Sequence, residues 1–276
     1  MIFLIGMLAL QNPIAGSFNS RTKRLLQILI TRKITIFDQT DIKISMLHKT
    51  RGIALSYIRY KESSIIAKIY TEAFGIQTYI VNGVRSSKSK TNRIAFYQPL
   101  TLLDMVVYHK NKEDTIHRIS EIKCYAPFFS IPYDVIKSGL ALFMTEMLGK
   151  TLREEENNEP LFHFIEQSVL YLDDAESGFE NFHIQFLMQL AHYLGFGVEA
   201  VDDLENELKS NHFPHVADAQ EHAATERMLE NGYGLSIPLD RTRRIGILEK
   251  LIFFYKIHME GLGEIKSLDV LREVLR

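Results

Sequence analysis

Four cations on one short polar segment are the residues of this sequence best suited to binding chemistry. The segment runs from Val81 to Arg93 and reads VNGVRSSKSKTNR, so its other cations are Arg85, Lys88 and Lys90. Lys and Arg side chains at such a turn can meet phosphate oxygens and release counterions from a nucleic-acid backbone. The alternative is a solvated hairpin whose lysines prevent pairing between sheet edges. The segment predicts a phosphate-binding turn, with the solvated hairpin as its rival.

The charge along the chain favours nucleic-acid binding by one part only. Residues 46–124 contain 13 Lys and Arg against 6 Asp and Glu, whereas residues 125–276 contain 13 against 26. The chain as a whole carries a formal charge of −2. Interleaved tyrosines and phenylalanines in the basic part could stack bases, although several must fill a core. Further cations lie in the neighbouring predicted strands and turns: Arg51, Arg59, Lys61 and Lys68. Of these, we add Arg51 to the predicted DNA-binding residues.

The reactive groups that an enzyme needs do not converge in this sequence. The single cysteine, Cys124, rules out an internal disulfide and fits a half-buried strand residue better than a nucleophile. The Gly-Leu-Gly segment at residues 261–263 lacks the third glycine of a dinucleotide loop and follows a predicted helix. Four residues could in principle bind a metal: His212, His215, Asp218 and His222. They are better explained as exposed polar residues than as a metal site. We expect no enzymatic activity, no cofactor and no bound metal.

Two periodicities divide the chain. Alternating and isoleucine-rich runs with polar turns predict five strands, at residues 50–58, 64–70, 76–84, 100–108 and 115–125. Five short strands in under 80 residues fit a small closed barrel such as the OB-fold, although a five-stranded sheet of another topology gives the same pattern. After Pro127 and Pro132 the period becomes 3.6, with predicted helices covering residues 136–148, 161–172, 179–193, 217–230, 241–258 and 268–276. The predicted fold class is α+β, a small β-barrel followed by an all-α domain.

The first 45 residues fit neither domain. Met1 to Leu10 is apolar, but no basic region precedes it, and ten residues are too few to cross a bilayer. We expect residues 1–45 to be an extension that results from a mis-assigned start, with translation beginning at Met46; a membrane anchor is the weaker alternative. The predicted domains are therefore the extension 1–45, an OB-fold DNA-binding domain 46–125 and a helical domain 126–276.

Several motifs keep their order and spacing along the chain. The front half contains TRGIAL at 50–55, YKESSII at 60–66, YTEAFG at 70–75 and QPL at 98–100, with the basic turn between the last two. The back half contains LIFFYKIH at 251–258 and GEIKSL at 263–268. In these residues the chain, from Met46 to Arg276, resembles the bacterial recombination mediator family RecO.

The resemblance implies both a fold and a function. The fold is an N-terminal OB-fold followed by helices, which the two periodicities predict independently. The function is to bind single- and double-stranded DNA, anneal complementary strands, contact the C-terminal tail of single-stranded-DNA-binding protein, and act with RecR to load RecA. The family's DNA contacts carry over to Arg85, Lys88 and Lys90, with Arg93 added by proximity. We expect a cytoplasmic, nucleoid-associated protein; the alternatives are an RNA-binding OB-fold protein and a cytoplasmic adaptor that binds an acidic protein.

Two further expectations come from the resemblance. Many family members have a four-cysteine zinc site after the segment equivalent to Tyr193–Phe196, but residues 197–239 here contain no cysteine. We therefore expect the helical domain to lack the zinc module. The family binds the acidic partner tail in an apolar pocket with nearby cations. The candidate residues for such a pocket here are Arg241, Arg243, Arg244, Phe253 and Lys256.

Overall fold

The computed structural model describes residues 47–84, 93–109, 116–153, 157–214 and 217–275. Within these ranges five β-strands come first and seven α-helices follow. The strands are β1 (Leu47–Tyr60), β2 (Ser64–Thr71), β3 (Gly75–Val81), β4 (Leu102–Tyr108) and β5 (His117–Ala126). A short 3₁₀ helix, Arg93–Tyr97, lies between β3 and β4. The predicted α+β fold class is confirmed.

The five strands close into a barrel in the order β1-β2-β3-β5-β4. The pairings are antiparallel except for β3 with β5, which are parallel. Bulges between Ala54 and Ser56 and between Val106 and Val107 increase the local twist that closure needs. Alternate side chains of each strand fill the interior, and the buried set includes Ile65, Ala67, Ile69, Tyr79, Val81, Leu103, Met105 and Val107.

The helices form a second core. They are α1 (Val135–Thr151), α2 (Glu159–Asp174), α3 (Phe182–Tyr193), α4 (Val201–Ser210), α5 (Ala219–Glu230), α6 (Arg241–His258) and α7 (Ser267–Val274). The side chains of Asp134, Asn158, Asp218 and Asp240 accept backbone hydrogen bonds at four of their N-termini. Among the described residues, no helix is both long enough and apolar enough to cross a membrane.

The helical core continues onto one part of the barrel's outer surface. Outward-facing side chains near one end of the barrel belong to the same buried cluster as the helices: Ile53, Leu55, Tyr70, Ile76 and Leu102. Residues 49–276 accordingly form one compact unit. Further along the same strands the outer face is not covered, since Ile58 is 64% exposed. The helices therefore leave one region of the barrel wall open to a ligand.

A buried histidine in the helical core makes stability depend on pH. His183 on α3 is completely buried, and its ring meets Phe143 edge to face. Within the described part of the chain neither of its ring nitrogens has a hydrogen-bond partner. Arg241, Arg244 and Arg272 line the small space beside it. Burial, and secondarily the charge of Arg244, lowers the pKa of His183 to about 3. The neutral imidazole is therefore the form compatible with the fold.

We expect this histidine to destabilise the protein progressively below neutral pH. The unfolded chain binds a proton near pH 6.5 and the folded chain does not, so stability falls by up to about 1.4 kcal/mol per pH unit between pH 6.5 and pH 3. His183→Leu should remove about 2 kcal/mol of the stability difference between pH 6.5 and pH 5, measured by urea denaturation. His192→Leu, a partly exposed histidine on the same helix, is the control and should retain the full dependence. Equal pH slopes for wild type and His183→Leu would contradict the prediction.

Candidate nucleic-acid interface

Both ends of the basic turn are anchored in the barrel. Val84, which precedes it, and Tyr97, which follows it, are buried in the barrel core. The Ser64 hydroxyl, at the start of β2, donates to Asn82 Oδ1 at 3.0 Å. This hydrogen bond joins the β1–β2 hairpin to the first residues of the basic turn, which we call the root of the turn. The predicted contacts Arg85, Lys88 and Lys90 lie outside the described residues. Arg93 begins the 3₁₀ helix and is exposed.

A row of side chains crosses the uncovered barrel wall on the same strands. Ile58 pairs with Ile66, Ile66 with Ile80, and Ile80 with Arg118. Arg118 in turn pairs with Tyr108, whose side chain is 40% exposed. Because neighbouring strands are about 4.8 Å apart, the row from Ile58 to Arg118 spans roughly 14 Å, the length of a few nucleotides. The sequence pattern did not single out Tyr108 and Arg118; their alternation with inward-facing Val107 and His117 is the signal that could have found them.

Unpaired cations border this row. Among the described residues, Arg59, Lys61 and Arg118 form no ion pair, and all three are exposed. Lys61 and Arg118 lie on or beside the row, whereas Arg59 pairs with the interior residue Ile65 and faces the other side of β1. The Lys61 ammonium lies 5.3 Å from the centre of the Tyr60 ring, which is itself 37% exposed. Lys68 differs, because its ammonium donates to the Gly149 carbonyl at 2.9 Å and its burial lowers its pKa. The open wall therefore combines free positive charge with apolar and aromatic surface.

The structure separates the aromatics of the front half by role. Tyr70, Tyr79 and Tyr97 are buried, so they pack the cores and cannot stack bases. Tyr57 and Phe96 are half-buried against the barrel core. Tyr60 and Tyr108 remain accessible on the outer wall. They are the two tyrosines of the barrel that a flexible strand of nucleic acid could reach.

Comparisons with known proteins agree with this architecture. A family model described as Recombination protein O N terminal matches residues 46–128, and one described as Recombination protein O C terminal matches residues 132–234. The chain is 36% identical to DNA repair protein RecO of Flavobacterium psychrophilum over 82% of its own length and 98% of the relative's. It is 34% identical to DNA repair protein RecO of Bacteroides fragilis, over 83% and 99%. The chain belongs to the RecO family. Membership gives it a role in DNA repair and recombination, and the resemblance inferred from the motifs is confirmed.

Arg51, predicted to contact DNA, lies instead between the barrel and the helices of this RecO-family protein. Its guanidinium donates to Glu72 on one side, with distances of 3.0 and 2.6 Å, and to Glu166 of α2 on the other, at 2.8 and 3.0 Å. It also lies 5.2 Å from the centre of the Phe162 ring. The hydrogen bond to Glu72 is the main cause that raises the pKa of Arg51. A phosphate would have to displace these carboxylates, so the structure favours a role for Arg51 in holding the two parts together.

The same cluster contains the one grouping of three possible metal ligands among the described residues. Ligand atoms of Glu72, Glu159 and His163 all lie within 4.8 Å of one another. Both Glu72 oxygens already accept hydrogen bonds from Arg51, whose positive charge would repel a second cation. Glu159 is largely exposed and His163 is partly exposed. The cluster is better explained as a barrel-to-helix ion-pair network than as a metal site.

The residues predicted to bind a partner tail do not form one site. Arg243 and Arg244 line a groove of about 660 Å³ together with Ile237, Leu239 and Arg227. Arg241 instead donates to the Arg272 carbonyl. Two members lie near the other end of α6, roughly 15 to 20 Å along its axis: Phe253, which packs against Phe213, and Lys256, which is exposed. The groove is lined by cationic and apolar groups together with Glu180 and Asp240, and Phe253 and Lys256 lie outside it.

Side-chain packing stabilises the region after Phe196, where the resemblance implied that a zinc module is missing. Leu204, Leu208 and Met228 of α4 and α5 are buried, and Lys250 of α6 pairs with Glu221 at 3.0 Å in the interior. Because residues 197–239 contain no cysteine, no thiolate can contribute a ligand.

We expect the purified protein to contain no stoichiometric zinc and to keep its melting temperature in EDTA, because apolar contacts stabilise this region without a metal ion. Elemental analysis and a thermal melt with and without chelator test this. One zinc per chain, with a lower melting temperature after chelation, would show the expectation to be wrong and direct attention to His212, His215 and His222.

Proposed function

We propose that this RecO-family chain is a DNA-binding recombination mediator without enzymatic activity. The observation that supports it best is the uncovered barrel wall, where free cations and two accessible tyrosines lie beside the root of the basic turn. Arg118 and Tyr108 pair directly across β5 and β4, and Lys61 and Tyr60 lie at the hairpin tip. Cations neutralise phosphates and accessible aromatics stack bases, which together form a surface for single strands.

The proposed DNA path runs over the barrel only. Arg85, Lys88, Lys90 and Arg93 would meet the phosphate backbone at the basic turn, and Lys61 and Arg118 would continue the contact along the wall. The back half of the chain, with 13 Lys and Arg against 26 Asp and Glu, repels a polyanion. A strand held by its backbone leaves its base edges available, which is what annealing with a complementary strand requires.

The groove of the helical region is the proposed site for an acidic protein tail. Arg227 lies exposed at the groove, whereas Arg243 pairs with Asp218 and Asp240 and Arg244 donates to Asn181 Oδ1. Arg227 is therefore the groove cation most available to a carboxylate, and Leu239, which is half-buried, lines the same groove and offers apolar contact. The C-terminal tail of single-stranded-DNA-binding protein is the proposed occupant. We further propose that the protein acts with RecR to load RecA, in the cytoplasm near the nucleoid.

Strand annealing tests the proposed function. Complementary oligonucleotides coated with the cognate single-stranded-DNA-binding protein should anneal faster with the protein than without it. Neither an RNA-binding OB-fold protein nor an adaptor for an acidic partner would accelerate this reaction. No acceleration, under conditions in which the protein is folded, would reject the mediator proposal.

We expect the double substitution Tyr60→Ala with Tyr108→Ala to weaken single-strand binding about tenfold or more. Each lost base stack removes roughly 1 to 3 kcal/mol, while no charge is removed. The slope of log affinity against log salt should therefore stay unchanged, as fluorescence anisotropy over a salt series can show. Tyr193→Ala, a comparably exposed tyrosine of the helical region, is the control. Unchanged affinity in the double variant would restrict the interface to the basic turn.

A further inference from the structure

The segment between the barrel and α1 exposes the most accessible large apolar side chains of the described residues. Phe129 is 82% exposed, Tyr133 is 85% exposed and Val135, at the start of α1, is 70% exposed. Leu142 is two turns further along α1, on the same side as Val135, and is 42% exposed. We call Phe129, Tyr133, Val135 and Leu142 the linker patch. Clustered exposure of this kind typically marks an interaction surface.

A buried carboxylate holds the linker patch in one conformation. Asp173, at the end of α2, accepts hydrogen bonds from the backbone N–H groups of Phe129, Ser130 and Ile131 at 2.8, 2.9 and 2.9 Å. Burial by itself would raise the pKa of Asp173, but these N–H groups outweigh it and hold the pKa below its ordinary value. The segment is therefore tied to the helical core at three consecutive residues.

A buried lysine completes the support. Lys137 on α1 is 4% exposed, and its ammonium donates to the Ser130 hydroxyl at 2.6 Å and to the Asp173 carbonyl at 2.8 Å. The N–H groups of Tyr133 and Asp134 both donate to the Ser130 carbonyl at 2.9 Å, which folds the chain back between the two aromatics. A surface that is ordered before binding loses less conformational entropy when a partner docks. The exposed side chains of Phe129 and Tyr133 are thus attached to a backbone that is ordered before a partner binds.

The charges around the linker patch indicate the class of partner. Lys137 is the only cation between Cys124 and Gly149, and it is buried. The exposed carboxylates Asp174 and Glu176 follow Asp173 directly. Residues 125–148 therefore offer a polyanion such as DNA no accessible cation, and Asp174 and Glu176 would repel it. Two copies placed patch to patch would bring the same acidic groups together.

The size of the patch also argues against a symmetric dimer. Its two aromatic side chains expose on the order of 300 Å². A standard interface buries about 800 Å² on each partner. Phe129 and Tyr133 therefore fit the role of anchors that enter a pocket, with the remaining contact supplied by a partner that surrounds them.

We propose that the linker patch docks a protein partner that presents an apolar pocket with a basic rim. Phe129 and Tyr133 fill the pocket, and Asp174 and Glu176 meet the cations of the rim. The linker patch shares no residue with the barrel wall or with the groove, so this inference does not depend on the proposed function.

Site-specific cross-linking followed by a binding measurement tests the proposal. A photoreactive benzophenone amino acid in place of Phe129, in the full chain expressed in its own cells, should cross-link to a protein identified by mass spectrometry. That protein, once purified, should bind the wild type in calorimetry, and Phe129→Ser with Tyr133→Ser should weaken binding at least tenfold. Val270→Ser, an exposed apolar residue of α7, is the control and should change the affinity less than twofold. The double variant should keep its melting temperature and its DNA affinity.

Several results would overturn the proposal. Cross-links only to DNA, only to a second copy of the chain, or to no macromolecule would reject a protein partner at this surface. Equal affinity of the identified protein for wild type and double variant would do the same. Loss of DNA binding by a normally folded double variant would instead assign the linker patch to the nucleic-acid interface. Normal annealing activity with no partner would leave the proposed function standing and reject this inference alone.

Discussion

Arg51→Met is expected to destabilise the protein by about 3 kcal/mol, because it leaves Glu166 buried without its cation. The side chain of Glu166 is 5% exposed and accepts two hydrogen bonds from Arg51, with another from the Tyr125 hydroxyl. Breaking a buried pair costs roughly 3 to 5 kcal/mol, and the partial exposure of Arg51 favours the lower end. Guanidinium denaturation at pH 7 measures the loss.

Two variants separate the ion-pair explanation from others. Arg59→Met removes an exposed, unpaired cation from the same strand and should shift stability by less than about 0.5 kcal/mol. Arg51→Met combined with Glu166→Met removes the buried carboxylate together with its cation and should recover part of the loss, since only the more exposed Glu72 then remains unpaired. A loss below about 1 kcal/mol for Arg51→Met would mean that the network behaves as a surface pair. In that case Arg51 would again be available as a DNA contact.

Replacing Arg85, Lys88, Lys90 and Arg93 by alanine should flatten the dependence of log affinity on log salt by about 3 units for single strands. Each phosphate contact contributes roughly 0.7 to that slope, and four contacts are removed. Binding should weaken at low salt by nearly the same factor for every sequence, because phosphate contacts do not read bases. Fluorescence anisotropy with two oligonucleotides of different sequence, from low to moderate salt, measures both effects.

The control removes the same charge from the helical region. A second quadruple variant carries alanine at four exposed cations: Lys209, Arg227, Lys256 and Lys266. With bare DNA it should keep the wild-type slope, which excludes a simple effect of net charge. If the variant of the basic turn folds normally and retains the parent's affinity and slope, that turn is a solvated hairpin. The Tyr60 and Tyr108 substitutions then decide whether the barrel wall binds DNA without it.

The periodicity of apolar residues in the sequence was sufficient to predict most strands and helices of the fold. Strand β2 begins at Ser64, as the alternation predicts, and α6 spans Arg241–His258, the range that the 3.6-residue period indicates. Helix α4 is missing from the predicted set, although Val201, Leu204 and Leu208 are spaced for one helical face and are buried. Packing against neighbouring helices stabilises this short segment, and such tertiary contacts do not appear in local helix propensity. The 3₁₀ helix Arg93–Tyr97 is likewise absent from the predicted set, and burial of Tyr97 stabilises it.

The sequence by itself determined the order of the elements, the family motifs, the contrast of charge between the two halves and the absence of cysteine ligands. Only the tertiary structure decided which outward face of the barrel is open. Tyr70 and Tyr60 both lie on strands of the barrel, yet one is covered by helices and the other is accessible. From the sequence alone Arg51 is predicted to be a free cation. The structure shows that it pairs with Glu166, which is 115 residues further along the chain. Alternation tells which side of a strand a residue faces, but what covers that side depends on contacts between residues far apart in the chain.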